Sequence, residues 1–285
     1  MSDIREPTET RRFMHGIWAS IATAWGANAD DVDQRAAIVT RRMLDGAAVQ
    51  AGDRVLELAC GPGGAGLAAA ERVGEAGEVV LSDVVPEMVE IARRRATAHA
   101  LTNVRAEVLD LEDIMEPAET FDVVLCREGM MFAIDPARAA REMHRVLRPA
   151  GRLAVAVWGP RSDNPWLGLI LDAITDVTGI VVPPPGAPGP FALSDDERLG
   201  KLFAEAGFDT PSIERVAAPL HCPSFEAWWT RQLTIAGPLV AIVNGLDDTT
   251  RDRLQLRVRV AVARYATDGA LELPGVALVL TGRRP

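Results

Sequence analysis

One stretch limits this chain more than any other: Val55-Leu-Glu-Leu-Ala-Cys-Gly-Pro-Gly-Gly-Ala-Gly-Leu67. An apolar run, short enough for a buried strand, breaks into a loop with glycines at 61, 63, 64 and 66, and the loop opens into Ala- and Leu-rich sequence that reads as helix. A helix start leaves backbone N–H groups unpaired and facing outward, which favours an anionic group there. The glycines let a ligand close on the main chain. Strand, glycine turn and helix together therefore build a ligand site.

Two ligands compete for it. Gly61-Pro-Gly63-Gly-Ala-Gly66 fits G-x-G-x-x-G, and Asp83 lies 20 residues beyond Gly63, where a ribose-binding acid belongs. Taken alone, this reads as a dinucleotide site and a nicotinamide-dependent oxidoreductase. Glu57 argues against it, because a strand-buried carboxylate beside a pyrophosphate sets two anions together, whereas a cationic ligand suits it.

The run Val55-Leu-Glu-Leu-Ala-Cys-Gly-Pro-Gly63 resembles the first motif of the class I S-adenosylmethionine-dependent methyltransferases, hydrophobic-hydrophobic-(Asp/Glu)-x-Gly-x-Gly-x-Gly. Ala59 stands where the family usually has its first glycine, a mild change wherever φ is negative. Asp110, in Ala106-Glu-Val-Leu-Asp-Leu111, resembles the family position that accepts from the adenine amino group. Arg145-Val-Leu-Arg-Pro-Ala-Gly151 resembles the turn before the fifth strand, with Ala150 replacing a glycine, and Phe203-Ala-Glu-Ala-Gly-Phe208 the helix end before the sixth. The resemblance is strong over 50–158, extends more weakly over 194–218 and 270–284, and points to the small-molecule branch that includes the ubiquinone/menaquinone-biosynthesis C-methyltransferases (methyltransferase type 11).

The resemblance implies an α/β fold: a doubly wound, seven-stranded, mostly parallel Rossmann-like sheet with its last strand antiparallel and helical cap insertions. It also implies S-adenosyl-L-methionine as cofactor, held by Glu57, Ala59, Gly61, Gly63, Asp83, Val84, Asp110, Leu111, Cys126 and Arg127. A protein that binds this cofactor without methylating anything is the third reading, beside methyltransferase and oxidoreductase.

Periodicity supports the organisation independently. Strands are expected over 54–59, 78–82, 104–109, 121–125 and 151–158, alternating with helices over 64–73, 86–99 and 136–147, the pattern of a parallel sheet. Around this core, 51–158, lie N-terminal helices (1–50), an insertion (159–193), a core helix and strand (194–218), a second insertion (219–269) and a final strand (270–285). Asn164-Pro165 and the capping box Ser194-Asp-Asp-Glu197 read as helix starts. Residues 254–264 fit either strand or helix; Thr249-Thr250 offers a cap and tips the reading to helix, followed by a last strand over Leu271 to Thr281.

A net charge of -10 opposes attraction to phosphate backbones, so nucleic acid is not the expected partner. No apolar run approaches the roughly 20 residues a bilayer needs, and Met1-Ser-Asp-Ile-Arg-Glu-Pro lacks a secretory h-region, so a cytoplasmic protein is expected. Cys60, Cys126 and Cys222 show no C-x-x-C spacing; no metal site is expected, and a homodimer is left open.

Methyl transfer from a sulfonium asks the protein mainly to position the reactants and exclude water. Where a base helps, the candidates are His221 first, then His15, His144, Glu128 and Tyr265, each against a plain structural role. Trp18, Trp25, Trp166, Phe191, Phe225, Trp228 and Trp229 all fall outside the alternating core. They read as the cover of an apolar pocket for a small-molecule methyl acceptor such as a quinone, polyketide or lipid-like ring compound, with Pro183 to Pro190 flanking its entrance. Ordinary core packing is the competing account of the same aromatics.

Overall fold

The structure, a computed structural model, describes residues 7–285; the segment 1–6, on which the reading of the N-terminus rests, lies outside the described residues. Two helices, α1 (Pro7–Ala27) and α2 (Ala29–Gly46), come first. The expected alternation follows: β1 (Arg54–Glu57), α3 (Gly64–Val73), β2 (Glu78–Asp83), α4 (Pro86–Ala98), β3 (Val104–Val108), β4 (Phe121–Arg127), α5 (Pro136–Val146) and β5 (Leu147–Trp158). Val55-Leu56, Val79-Val80-Leu81 and Val123-Val124-Leu125 are wholly buried, as continuous apolar strands must be when helices cover both faces of a parallel sheet. Pro86 and Pro136 open their helices at first-turn positions, where the missing N–H costs nothing, and Asp135 caps α5 by accepting the Arg138 N–H at 2.9 Å.

The chain continues through α6 (Pro165–Thr178) and α7 (Asp196–Glu205) to β6 (Asp209–Ala217). It then leaves the sheet through β7 (Leu220–Cys222), α8 (Phe225–Ile235), α9 (Pro238–Asn244), α10 (Asp248–Val262), β8 (Ala266–Thr267) and β9 (Ala270–Leu273), and returns as β10 (Val276–Arg283). The main sheet has seven strands in the order β3-β2-β1-β4-β5-β10-β6. β1 to β5 are parallel, and β10 runs antiparallel to both β5 and β6. The winding reverses between β1 and β4, which opens a crevice above the carboxyl ends of those strands.

Three local expectations are corrected. Asp195, not Ser194, caps α7 by accepting the Arg198 N–H at 2.7 Å. Residues 254–262 are indeed helical, with Leu254, Val258 and Val262 buried on one face of α10. Its cap, however, is Asp247, accepting from Thr250 N at 2.9 Å, so Thr249 and Thr250 sit inside the first turn. The final strand begins at Val276 because Pro274-Gly275 breaks the run, and Leu271–Leu273 instead joins a separate three-stranded sheet, β7-β9-β8.

Asn164 stands at the N-cap of α6 as expected, but its side chain bonds away from the first turn. Its buried amide donates to Gly159 O, Pro160 O and Val276 O at 3.0–3.2 Å and accepts from Val276 N and Trp166 Nε1, both at 3.0 Å. That satisfied side chain ties the start of the first insertion to the end of the second. No helix among the described residues is long and apolar enough to cross a membrane.

Candidate cofactor and acceptor site

Glu57 does not line the crevice. Only 1% exposed, it lies behind the glycine loop, and its Oε2 accepts the Gly66 N–H at 2.8 Å, occupying one of the unpaired N–H groups at the start of α3. Burial pushes its carboxyl up to about 8, opposed by the Arg127 guanidinium and the Gly66 N–H. A side chain at Gly66 would collide with Leu81 and Glu57. Gly63, at φ +88°, backs onto Leu81 and Ala92 and is likewise turned from the crevice. Ala59 adopts φ +51°, so the family's glycine is replaced at a position that does need the left-handed region, contrary to the mild reading of that change.

Asp83, at the end of β2, is clamped from both sides. Its Oδ2 accepts from Gly61 N and its Oδ1 from Val85 N, each at 2.9 Å, and burial raises its pKa against the pull of these N–H groups. The Val84 N–H acts on the same carboxylate. Asp110 accepts from Glu112 N at 2.8 Å and pairs with Arg11 Nε of α1 at 3.3 Å; Arg11 also binds Glu112. Helix α1 is thus fastened over the crevice by its own charge.

Beneath α1 is a cavity of about 1110 Å³, counting the space open to solvent. Ala59, Gly61, Asp83, Val84, Asp110, Leu111 and Arg127 line it. Glu57, Gly63 and Cys126 do not; the fully buried Cys126 thiol is pushed up to about 12 by its apolar surroundings. Sequence reasoning missed Arg11, Met14, Met88 and Phe132, which carry no motif and enter by packing. The elements fit the expected cofactor: a left-handed backbone cradle, a fixed carboxylate after β2, a second after β3, and apolar Val84, Leu111 and Met88 for a ring.

Arg127 joins the loop side to α2. Its side chain, 8% exposed, donates to Asp33 Oδ1 at 2.8 Å and Thr40 Oγ1 at 2.7 Å, and Arg95 bridges Asp33 to Pro62 O. Burial lowers the Arg127 pKa, but Asp33, Glu128 and Glu57 outweigh it and hold the guanidinium charged.

A second cavity of about 750 Å³ adjoins the first, sharing Trp18, Trp25, Val32, Glu128 and Phe132 with it. Trp18 stands edge-on to Phe132 at 5.0 Å and to Trp25 at 5.9 Å, and Trp25 Nε1 donates to Ile235 O at 2.8 Å, binding α1 to the end of α8. These two tryptophans and Trp166 line the second cavity. Phe225, Trp228 and Trp229 lie in the core and Phe191 packs against it half-buried: Trp228 is 0% exposed and donates to Trp166 O at 3.2 Å, and Phe225 stacks on Trp229. Of the stiff loop, only Pro190 reaches the second cavity.

His221 is not near either cavity. It lies on β7 with its side chain 65% exposed, 4.0 Å from Glu272 across the small sheet. His144 packs against Phe208, and Tyr265 lines neither cavity. His15 lines the first cavity and Glu128 lines both. Glu128 follows β4 at φ +59°, a conformation non-glycine residues rarely hold, with its N–H fixed to Ala156 O at 2.8 Å. Its Oε1 is shut off from solvent with no hydrogen-bond partner, and burial raises its pKa against the nearby Arg127 and Arg35.

The sequence model of a methyltransferase-domain family matches residues 50–173. The chain is 36% identical over 199 residues to the ubiquinone/menaquinone biosynthesis C-methyltransferase UbiE of Azotobacter vinelandii, covering 70% of this chain and 75% of that protein. It is 37% identical over 114 residues to the aklanonic acid methyltransferase DauC of a Streptomyces species, covering 40% and 52%. The fold is shared with the YcgJ protein of Bacillus subtilis, at TM-score 0.59 and 21% identity over 86% of this chain and 97% of that one.

Proposed function

The chain belongs to the class I S-adenosylmethionine-dependent methyltransferases, and on that premise we propose that it methylates a small, largely apolar ring compound bound in the second cavity, with Glu128 taking the acceptor's proton. The supporting observation is the pair of cavities meeting at Glu128, Trp18, Trp25 and Phe132, one walled by the glycine loop and the strand-end carboxylates, the other by aromatic and aliphatic side chains. The relatives' names, one for quinone biosynthesis and one for aklanonic acid, favour a ring-bearing acceptor. In this reading α1, α2 and the two insertions are the cap, and Asp83 and Asp110 hold the ribose and adenine.

When bound, the cofactor supplies a methyl group on a sulfonium, a good leaving group. The chain's residues do the rest. Trp18, Trp25 and Phe132 keep water from the junction, and the apolar walls hold the acceptor's nucleophilic atom toward the methyl carbon. The bound cofactor would supply the methyl group and keep the electron pair of the broken carbon–sulfur bond on its sulfur, and Glu128 would take the proton that the acceptor gives up. A carboxylate held free of partners, with a raised pKa, suits that task.

The test is transfer of labelled methyl to hydroxylated naphthalenes and anthraquinones, beside peptides and RNA. Glu128→Gln is expected to lower kcat by about 10²–10⁴ at unchanged affinity for S-adenosylhomocysteine. Faster methylation of peptides or RNA than of any ring compound would overturn the acceptor class. Loss of cofactor affinity with kcat intact would overturn the role of Glu128.

A further inference from the structure

The second cavity is lined by a guanidinium that, among the described residues, has no ion-pair partner. Arg35, on α2, lays its guanidinium 4.0 Å from the Trp166 ring centre and 4.9 Å from that of Trp158, and its Nε and Nη2 are shut off from solvent without a hydrogen-bond partner. Neighbouring guanidiniums have ion-pair partners: Arg231 pairs with Asp31 at 2.6 Å, though its Nε is also without a hydrogen-bond partner, and Arg127 pairs with Asp33 at 2.8 Å. Among the described residues Arg35 makes no ion pair, and Glu128 is the charged group that most favours its protonated form.

Indole faces stabilise a cation but leave the N–H groups in its plane unmet. Buried polar groups are nearly always satisfied; Arg54, Arg161 and Arg231 each leave one such nitrogen unmet but hold an ion pair, whereas Arg35 leaves two unmet and, among the described residues, holds none. Nε and Nη2 form one edge of the guanidinium fork, the edge that meets two oxygens of a planar anion. Burial draws the Arg35 pKa down to about 10, which still leaves it charged at neutral pH.

We propose that the methyl acceptor carries an ionised oxygen, a ring carboxylate or an acidic phenolate, which binds the Nε–Nη2 edge of Arg35 while the ring lies in the aromatic chamber beside it. The proposal rests on the second cavity being the acceptor site. Arg35, Trp158 and Trp166 line only that cavity, whereas Glu128 lines both, so the anchored oxygen lies away from the atom that receives the methyl group. The anion is an orienting handle, and a separate atom of the acceptor is methylated.

The test is binding of naphthalenecarboxylate, its neutral carboxamide and dinitronaphtholate to the full chain saturated with S-adenosylhomocysteine, followed by calorimetry. The carboxylate, the naphtholate or both are expected to bind at least about tenfold tighter than the carboxamide, the scale of a charge-assisted pair over a neutral one. Which anion wins identifies the oxygen. In Arg35→Gln the preference is expected to fall to within about threefold while S-adenosylhomocysteine affinity is kept; Arg35→Lys, which keeps the charge without the fork, should retain part of it and serves if the Gln variant fails to fold. Equal binding of anion and carboxamide in the wild type, or a preference untouched by both variants, overturns the anion handle but leaves the apolar acceptor cavity standing. No saturable binding of any of the three overturns both.

Discussion

Glu57→Gln tests whether a buried carboxyl behind the glycine loop governs how stability depends on pH. In the ligand-free protein burial lifts Glu57 from its ordinary 4.5 to about 8. The folded pKa lies above the unfolded one, so the unfolded chain releases the proton first. The stabilisation is fully present below about pH 4.5 and is lost as pH rises toward 8. At about 1.36 kcal/mol for each pKa unit, a rise of roughly 3.5 amounts to about 5 kcal/mol.

Glutamine cannot ionise, yet its carbonyl oxygen can still accept the Gly66 N–H now held at 2.8 Å. Its extra N–H pair costs about 1–3 kcal/mol where no acceptor is found. The variant should therefore be less stable than wild type by up to about 2 kcal/mol at pH 5 and more stable by about 2–4 kcal/mol at pH 9, the two curves crossing between. Urea unfolding of both proteins across that range reads the difference directly, with other titrating groups cancelling. A constant offset at every pH would refute the reasoning, because Glu57 would then keep the same charge in the folded and unfolded chains.

Asp83→Ala should weaken S-adenosylhomocysteine binding by about 1.5–3 kcal/mol and also lower stability by a similar amount, since the loop N–H groups of Gly61 and Val85 lose their acceptor. Calorimetry giving wild-type affinity would show that Asp83 only holds the loop. Ala59→Gly should raise stability by about 0.5–1 kcal/mol by relieving the left-handed conformation, net of the added freedom of the unfolded chain. A lower melting temperature would mean that the methyl group's packing outweighs that strain.

The cofactor half of the site was legible because its requirements are local. A glycine loop after a buried strand, and acids at fixed distances after the next two strands, follow from backbone geometry that sequence spacing carries. Glu57 was found but its direction was not: spacing placed the carboxylate at the strand end, while the choice between ligand and Gly66 N–H depends on how α3 packs. The acceptor half was legible only as a class. Trp18, Trp25, Trp166, Trp228 and Trp229 look alike in sequence, and which become wall and which become core depends on how α1, α6 and α8 meet. Arg35 and Glu128 carry no motif; what marks them is the lack of a partner for atoms shut off from solvent, a property of three-dimensional surroundings.

The excursion from β6 to β10 begins and ends almost at one point. Val276 pairs with Ala217, Ala218 N donates to Gly275 O at 2.8 Å, and Asn164 fixes the start of α6 to Val276. Two adjacent antiparallel strands are all the sheet requires there, and a two-residue turn would meet that requirement as well as the present segment does. The helices carried between them supply Arg231, Gln232 and Ile235 to the second cavity and none of the strand-end acids of the first. This part of the cap is therefore a cassette plugged into a fixed socket: lengthening, shortening or exchanging it would rebuild the wall of the second cavity and leave the strand-end acids of the first in place.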